Sequence, residues 1–291
     1  MGPGTGTLFV VATPIGNLED ITLRALRVLK EVDVVAAEDT RRTSRLLTHY
    51  GISTKLISVH EHNERARVPK LVQSLMDGRS VALVTDAGTP GASDPGMPLV
   101  RAAREQGIPV IPIPGPSAVI AALSVAGAPF DRFVFAGFPP VRSKDRKRWF
   151  REVAAATTAV VFFEAPHRVR RTIDELAHDL ADRPITACRE LTKLHEEVLS
   201  GRVGDILQQI GEPRGEFTFV LGPSEAGPPS TTPSDLIDIE QRVAFELGQT
   251  ANFGFGMSRR DRLRGVAERL GLKVSEVYQV AERLKNKANN Q

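Results

Sequence analysis

Short apolar runs alternate with segments of helical periodicity through the first part of the chain. Residues 7–12 form a β-rich run, and Leu23, Leu26 and Leu29 follow it at the spacing of one helix face. Further strands are predicted at residues 32–37, 55–59, 80–85 and 108–113, and helices at residues 65–75 and 116–126. Because this alternation places helices between parallel strands, it predicts a mostly parallel sheet covered on both faces.

A second series of apolar runs follows. It predicts strands at residues 133–136, 159–163, 185–189 and 217–221, and helices at residues 147–155 and 168–180. The break between the two series falls where Gly127, Ala128 and Pro129 interrupt the chain. We therefore predict two α/β domains, residues 1–126 and 127–222, and a ligand site in the cleft between them.

The last part of the chain differs in composition. Residues 223–234 are rich in proline, glycine and serine and are predicted to form a linker to a helical tail, residues 235–291. In that tail, residues 258–271 and 273–285 carry two amphipathic helical patterns. The pair is typical of a helix-turn-helix, and a plain helical hairpin that packs on the main body fits the pattern equally well.

Composition narrows the class of protein only slightly. The chain has 291 residues, and 38 lysines and arginines against 35 acidic residues give a formal charge of +3, which permits a polyanionic partner without requiring one. The single cysteine, Cys188, excludes an internal disulfide and a cysteine-based zinc cluster and fits a reducing cytosol. No apolar run approaches the roughly 18 residues that span a bilayer. We expect a cytoplasmic protein with no metal and no membrane partner.

Four turns at predicted strand ends concentrate glycine, proline and carboxylates. They cover residues 12–21, 85–96, 113–118 and 163–168. Ligands of α/β folds bind at the carboxyl ends of strands, and glycine lets the backbone approach a ligand closely. No Walker sequence is present and no Gly-x-Gly-x-x-Gly stands in the right place, while Asp20, Asp86 and Asp94 would repel a pyrophosphate. A cationic ligand suits these turns better.

Several motifs occupy these turns and the strands beside them. They read VVATPIGNLEDIT at residues 10–22, AEDTR at 37–41, VTDAGTP at 84–90 with SDPG at 93–96, and PGPSA at 114–118. Together they resemble the tetrapyrrole-methylase superfamily of S-adenosylmethionine-dependent methyltransferases. The stretches SVHEHNE at 58–64, EAPHR at 164–168 and RELTK at 189–193 narrow the resemblance to a branch that methylates the ribose 2′-hydroxyl of one cytidine at the decoding centre of 16S rRNA.

The resemblance implies two α/β domains with S-adenosylmethionine between them, a homodimer, and 16S rRNA or the small ribosomal subunit as the partner. The residues that it places against the cofactor are Pro14, Gly88, Thr89, Pro90, Ser117, Ala118 and Phe163. Thr89 stands where many members of the superfamily have aspartate. The charge of Asp86 would in addition favour the sulfonium cation of this ligand.

Methyl transfer to a ribose needs help, because a 2′-hydroxyl is a weak acid and a base or a nearby cation would assist its attack. The candidates near the strand ends are His60, Glu61, His62, Glu164, His167 and Lys193. We favour Glu164 and Lys193 as catalytic residues because they lie in the motifs of the second domain. A structural role in a hydrogen bond is the ordinary alternative for each histidine. Asp39 and Arg41 are expected to organise the cleft by ion pairing.

A basic segment provides the predicted RNA contacts. Residues 142–151 contain six basic residues and one acidic residue, with Trp149 and Phe150 beside them. We predict that phosphates are bound by Arg142, Lys144, Arg146, Lys147 and Arg148, and that an aromatic side chain stacks on an unpaired base. The alternative is a solvated helix face with Trp149 in the core. Residues 168–171 and 41–45 are further basic patches.

Other functions compete with this interpretation. A methyltransferase of the same superfamily could act on a corrin-like small molecule, but the basic segment at residues 142–151 and the motif at 58–64 argue against it. A nucleic-acid-binding regulator built around residues 258–285 is the non-enzymatic alternative. A nucleotide-dependent oxidoreductase would need a glycine fingerprint that the chain lacks.

Overall fold

The computed structural model describes residues 5–91, 96–127, 131–223, 242–243, 246 and 259–289. The chain divides into two compact units, Met1–Glu225 and Ala226–Gln291. The predicted linker from residue 224 onward, the first residues of the tail and Asp94 lie outside the described residues. The boundary predicted between residues 126 and 127, within the larger unit, stays a prediction.

The first sheet of the larger unit is parallel throughout. Its strands are β1 (Leu8–Val11), β2 (Val34–Ala37), β3 (Leu56–Ser58), β4 (Val81–Val84) and β5 (Val110–Ile113), in the order β3-β2-β4-β1-β5. Four helices follow strands β1 to β4: α1 (Leu23–Glu31), α2 (Thr40–His49), α3 (Glu64–Met76) and α4 (Met97–Glu105). Val35 and Val84 pack on the side of α1 and α2, whereas Val34 and Leu83 pack on the side of α3 and α4. The predicted parallel sheet with both faces covered is confirmed.

The second sheet has a different topology. Its strands are β6 (Phe133–Phe135), β7 (Ala159–Glu164), β8 (Pro184–Arg189), β9 (Glu197–Arg202) and β10 (Phe217–Leu221), in the order β6-β7-β10-β8-β9. Only β6 and β7 pair in parallel, and the other neighbours are antiparallel. Helices α6 (Ser143–Ala155), α7 (Pro166–Leu180) and α8 (Ile206–Ile210) accompany it. Strand β9, whose residues alternate between partly buried and exposed, was not predicted.

Helix α5 (Ala118–Val125) connects the two sheets. It follows β5 of the first sheet, yet Val119, Ala122 and Leu123 are buried against Val161 and Val220 of the second. Seven of its eight residues are apolar, which suits a helix that contacts both parts. The loop between β5 and α5 therefore ends beside the second sheet, and Ile15 of the loop after β1 packs against the same cluster.

The smaller unit contains α9 (Arg259–Leu270) and α10 (Val274–Asn289), which confirms the two predicted tail helices. Val266, Val277 and Val280 form its small buried core. Gly271 follows α9 with φ +66°, a conformation that glycine adopts without strain and that commonly ends a helix. In the described residues no helix has the length and apolar character that a membrane crossing requires.

Candidate cofactor and substrate site

Three loops meet at the carboxyl ends of β1, β4 and β5. The Thr13 N–H donates to Gly88 O (2.9 Å), and the Gly88 N–H donates to Thr13 O (3.0 Å). The Thr13 hydroxyl donates to Thr85 O (3.1 Å), and the Thr89 hydroxyl donates to Pro116 O (3.1 Å). Backbone and hydroxyl hydrogen bonds thus tie the loop after β1 to the loop after β4, and that loop to the one after β5.

Glycine is required where these loops approach each other. Gly88 has φ +80°, and a Cβ added there would lie 3.4 Å from Ile15 Cγ2. A Cβ on Gly115 would lie 3.0 Å from Ala12 Cβ. The same three loops carry the predicted cofactor residues Pro14, Gly88, Thr89, Pro90, Ser117 and Ala118. The structure brings these residues together, and their contact with a cofactor stays a prediction.

A charged corner lies at the ends of β2 and β4. Asp86 Oδ1 accepts a hydrogen bond from the Asp39 N–H (3.0 Å), and Asp86 Oδ2 lies 3.6 Å from Arg42 Nε. The predicted ion pair between Asp39 and Arg41 is present, with Asp39 Oδ2 2.7 Å from Arg41 Nη2. Hydrogen bonds from the Arg41 side chain and N–H lower the pKa of Asp39, whereas burial raises the pKa of Glu38. The corner is acidic and braced by two arginines.

The loop after β8 contacts the loop after β1. The Asn17 N–H donates to Thr192 Oγ1 (3.0 Å), and a Cβ on Gly16 would lie 2.5 Å from Lys193 Cγ. Glu190 and Thr192 have φ +50° and +67°, an unfavourable conformation for residues with side chains that occurs often at functional sites. Gly16, Asn17 and Thr192 were not singled out from the sequence, because only their contact across the two sheets identifies them.

Lys193 is a cation held by two carboxylates. Its Nζ lies 2.9 Å from Glu190 Oε1 and 2.8 Å from Glu216 Oε2. Burial acts to lower the pKa of Lys193, but the hydrogen bonds to Glu216 and Glu190 outweigh it and raise this pKa. The ammonium is therefore protonated at neutral pH. It cannot accept a proton there, but it can stabilise a negatively charged oxygen.

The Glu164 carboxylate is enclosed by protein groups. Its side chain is fully buried, and Oε1 accepts from the Ala165 N–H (2.9 Å) while lying 3.3 Å from Arg168 Nε. Oε2 accepts from the Thr172 hydroxyl (2.5 Å). Both oxygens are occupied by the start of α7, so we correct its predicted catalytic role: the carboxylate supports this edge of the second sheet.

Three aromatic rings mark the carboxyl ends of β6 and β7. The ring of Phe163 lies 5.0 Å from that of Phe135 and 5.4 Å from that of Phe138, measured between centroids. The Phe163 N–H donates to Gly137 O (2.9 Å). Phe163, predicted to border the cofactor, is partly buried between its two neighbours.

The structure divides the basic segment of α6 into two sets. Arg146 is only 4% exposed, and its guanidinium donates to Glu175 Oε2 (2.7 Å) and to the Thr172 hydroxyl (2.9 Å). Trp149 is also buried, and its indole N–H donates to Ala136 O (3.0 Å). The prediction of Arg146 as a phosphate contact is therefore wrong, and Trp149 lies in the core, as the alternative to base stacking expected. Of the five predicted phosphate contacts, the four whose side chains are exposed are Arg142, Lys144, Lys147 and Arg148.

The histidines of the candidate list have local surroundings. His60 Nε2 lies 3.0 Å from Asn63 Nδ2, and its ring lies 5.9 Å from that of His62. Glu61, His62 and His167 are at least partly exposed. The hydrogen bond within its own turn fits a structural role for His60.

Cys188 is a buried free cysteine. Burial, with a smaller effect of the Glu196 charge, raises the pKa of the Cys188 thiol to about 11, so the thiol is protonated and a poor nucleophile. Among the described residues, no group of three or more His, Cys, Asp or Glu side chains is placed to hold a metal ion.

Comparison with known proteins places the chain in a family. The family model Tetrapyrrole (Corrin/Porphyrin) Methylases matches residues 7–207, and the chain belongs to that family. Ribosomal RNA small subunit methyltransferase I of Halalkalibacterium halodurans is 40% identical over 94% of this chain and 94% of that protein. The protein of the same name from Neisseria meningitidis serogroup B is 50% identical over 76% of this chain and 77% of its own.

A solved structure shares the fold. Uroporphyrin-III C-methyl transferase from Thermus thermophilus, complexed with S-adenyl homocysteine, matches with a TM-score of 0.54 and 18% sequence identity, over 75% of this chain and 97% of that chain. At this identity the match supports the two-sheet architecture.

Proposed function

We propose that this protein transfers a methyl group from S-adenosylmethionine to the ribose 2′-hydroxyl of a decoding-centre cytidine in 16S rRNA. The observation that carries the proposal is the 40% identity, over 94% of the chain, to a protein named Ribosomal RNA small subunit methyltransferase I. The converging loops and the fixed cation Lys193 are consistent with it.

The loops after β1, β4 and β5 fit this cofactor. Gly88 has a φ of +80°, which disfavours a residue with a side chain, and Gly115 has little space for one, so a ligand there would meet backbone N–H and C=O groups. The partly exposed carboxylate of Asp86 provides negative charge near a ligand that carries a sulfonium and an ammonium. When bound, S-adenosylmethionine supplies a methyl group activated by the positive sulfur. Pro14, Thr89, Pro90, Ser117, Ala118 and Phe163 complete the proposed contacts.

Lys193 is the residue to which we assign a catalytic role. The ribose oxygen forms a bond to the methyl carbon while the carbon–sulfur bond breaks, and the hydroxyl proton passes to solvent. Negative charge develops on the oxygen during this step, and a nearby ammonium stabilises that charge. Glu190 and Glu216 hold the ammonium in one position, which reduces the reorganisation needed during the reaction. The chain's main contribution is thus to place the hydroxyl and to balance its charge.

The proposal includes a homodimer and a cytoplasmic location. Ile120 and Val125 of α5 are 55% and 48% exposed, and exposed apolar side chains of this kind are commonly covered in subunit interfaces. A cytoplasmic location follows from a ribosomal substrate. Sedimentation equilibrium of the purified chain tests the oligomeric state.

The proposed activity is tested on small ribosomal subunits from cells that lack this protein. Tritiated methyl from S-adenosylmethionine should enter 16S rRNA, and mass mapping should find one new ribose methyl on a cytidine. The same assay with naked 16S rRNA and with assembled subunits shows which form is the substrate. If the label enters a porphyrinoid and not rRNA, the small-molecule alternative is correct.

Reversing the exposed charges of α6 should weaken RNA association. In the triple variant Lys144→Glu, Lys147→Glu and Arg148→Glu, we expect weaker binding to small subunits and a less steep salt dependence, by about one unit of slope for each phosphate that is no longer bound. Cofactor affinity should not change. The matched control reverses three exposed cations of the first sheet's helices, Lys30, Arg101 and Arg104, with the same change in net charge. Equal binding by wild type and the α6 variant at every salt concentration would exclude this surface.

A further inference from the structure

Phe138 is an exposed aromatic side chain beside the candidate site. Trp149, one of the two aromatic residues beside the basic segment, is in the core, whereas Phe138 is 51% exposed. It follows β6, and the carboxyl end of this strand adjoins that of β7, where Phe163 lies. Beside Phe163, at the carboxyl ends of β6 and β7, the exposed aromatic side chain is therefore Phe138 of the loop after β6.

Hydrogen bonds and ring contacts hold this loop in one conformation. The ring of Phe138 lies 5.4 Å from that of Phe163, and Gly137 O accepts from the Phe163 N–H (2.9 Å). The next two residues are prolines, whose φ angles are fixed by their rings. The Pro139 carbonyl accepts from Arg168, and the Pro140 carbonyl accepts from Arg146 Nη1 (3.3 Å).

The two arginines are themselves anchored by carboxylates. Arg168 Nε lies 3.3 Å from Glu164 Oε1, and Arg146 Nε lies 2.7 Å from Glu175 Oε2. The Thr172 hydroxyl joins the two pairs, because it accepts from Arg146 and donates to Glu164. Arg146, Glu164 and Thr172 are buried, and the network ties α7 to the carbonyls of the two prolines that follow Phe138.

The surroundings of Phe138 favour a nucleic acid as its partner. An exposed phenyl ring leaves apolar area in contact with water, which a stacked base would cover. Arg142 and Lys144 are exposed four and six residues further along the chain, where α6 begins. Rings that take bases and cations that take phosphates are the combination by which proteins hold unpaired RNA.

We propose that Phe138 is the stacking platform for an unpaired base of the RNA substrate, at or next to the methylated nucleotide, and that Arg142 and Lys144 contact the adjoining phosphates. The inference rests on the proposed function and adds the residue that positions its substrate. The network of Arg146, Arg168, Glu164, Thr172 and Glu175 holds this platform before RNA arrives.

The test compares Phe138→Ala and Phe138→Tyr with wild type, using small subunits as substrate. We expect Phe138→Ala to lower kcat/KM for rRNA methylation roughly 5- to 150-fold, the range for loss of one stacked base. Phe138→Tyr should retain most of the wild-type kcat/KM. Calorimetry should give both variants the wild-type affinity for S-adenosylmethionine. Val198→Ala is the control, since Val198 is 40% exposed on β9 at the opposite edge of the second sheet.

Three results would overturn the inference. An unchanged kcat/KM in Phe138→Ala would show that no base stacks there. If the affinity of Phe138→Ala for S-adenosylmethionine fell by the same factor as its kcat/KM, the ring would belong to the cofactor site. If the sedimentation of Phe138→Ala differed from that of wild type, the ring would belong to a subunit interface. A wild-type enzyme that does not methylate rRNA would instead disprove the proposed function, so the two failures are distinguishable.

Discussion

Replacing Arg183 with methionine is expected to destabilise the larger unit strongly. The Arg183 side chain is buried and donates to four carbonyls: those of Gly222 (2.8 Å), Val153 (2.9 Å), Ala156 (2.9 Å) and Thr158 (3.1 Å). A methionine fills similar space but leaves these carbonyls without donors, and each unsatisfied buried group costs about 1–3 kcal/mol. We expect a loss of about 4 kcal/mol in the free energy of unfolding.

Among the described residues Arg183 has no carboxylate partner, and its surroundings explain how this buried cation is tolerated. Burial lowers the pKa of Arg183, but an arginine stays charged in proteins. Val153 and Ala156 lie at the end of α6, where the helix dipole is negative. The guanidinium therefore joins the end of α6 to the start of β7 and the end of β10. Its removal breaks the hydrogen bonds that connect this helix to the two strands.

Urea unfolding of the variants measures this effect. Arg202→Ala is the control, because Arg202 also donates to a carbonyl, that of Asp182, but is exposed, and its loss should cost about 0.5 kcal/mol or less. Arg183→Lys should fall between the two, since an ammonium cannot reach four carbonyls arranged around a planar group. A loss below about 1 kcal/mol in Arg183→Met would contradict the account, because it would mean that the carbonyls find other donors.

The first sheet could be predicted because its strands are marked by residues that are adjacent in the sequence. The strands at its centre are continuous apolar runs such as VVAA in β2 and VALV in β4, which parallel strands buried on both faces require. Glycine and proline mark the loops after β1, β4 and β5. Helix α2 was not predicted because its sequence, TRRTSRLLTH, is mostly polar and buries only three residues.

The second sheet was less predictable because its order depends on contacts that are distant in sequence. Strand β9 is an edge strand with the sequence EVLSGR, in which only Val198 and Leu199 are apolar side chains, so it lacks the apolar pattern of a strand. The burial of Arg146, by contrast, follows from helical spacing. Arg146, Trp149 and Val153 are spaced three and four residues apart, so they share the buried face of α6, and helical periodicity alone separates Arg146 from the exposed cations.

The candidate site was predictable in its loops but not in its charges. The turns around Pro14, Gly88 and Ser117 were identified from glycine and proline at strand ends. Whether a carboxylate faces a ligand or a neighbouring helix depends on tertiary packing, so the sequence did not distinguish Glu164 from a catalytic acid. The pairing of Lys193 with Glu216 joins residues that lie 23 positions apart.

Replacing Gly16 with alanine is expected to remove most of the methyl-transfer activity. The added Cβ would lie 2.5 Å from Lys193 Cγ, 2.7 Å from Thr192 Oγ1 and 2.8 Å from Leu191 O. The loop after β1 or the loop after β8 must therefore move, and the first carries Pro14 while the second carries Lys193. Displacement of reacting groups by about 1 Å costs on the order of 100-fold in rate, so we expect kcat/KM to fall by about that factor.

The cause of this loss can be separated from general instability. Gly265→Ala makes the same change in α9, where the nearest atom to the new Cβ, Arg269 Nη1, lies 3.5 Å away, and it should retain full activity. Calorimetry of Gly16→Ala should show weaker binding of S-adenosylmethionine, because the hydrogen bond from Asn17 to Thr192 is broken along with the loop position. Circular dichroism should show a folded protein. If kcat/KM of Gly16→Ala stayed within about threefold of wild type, the two loops would be able to move apart without loss of activity. The catalytic role of Lys193 would then not depend on its close approach to Gly16.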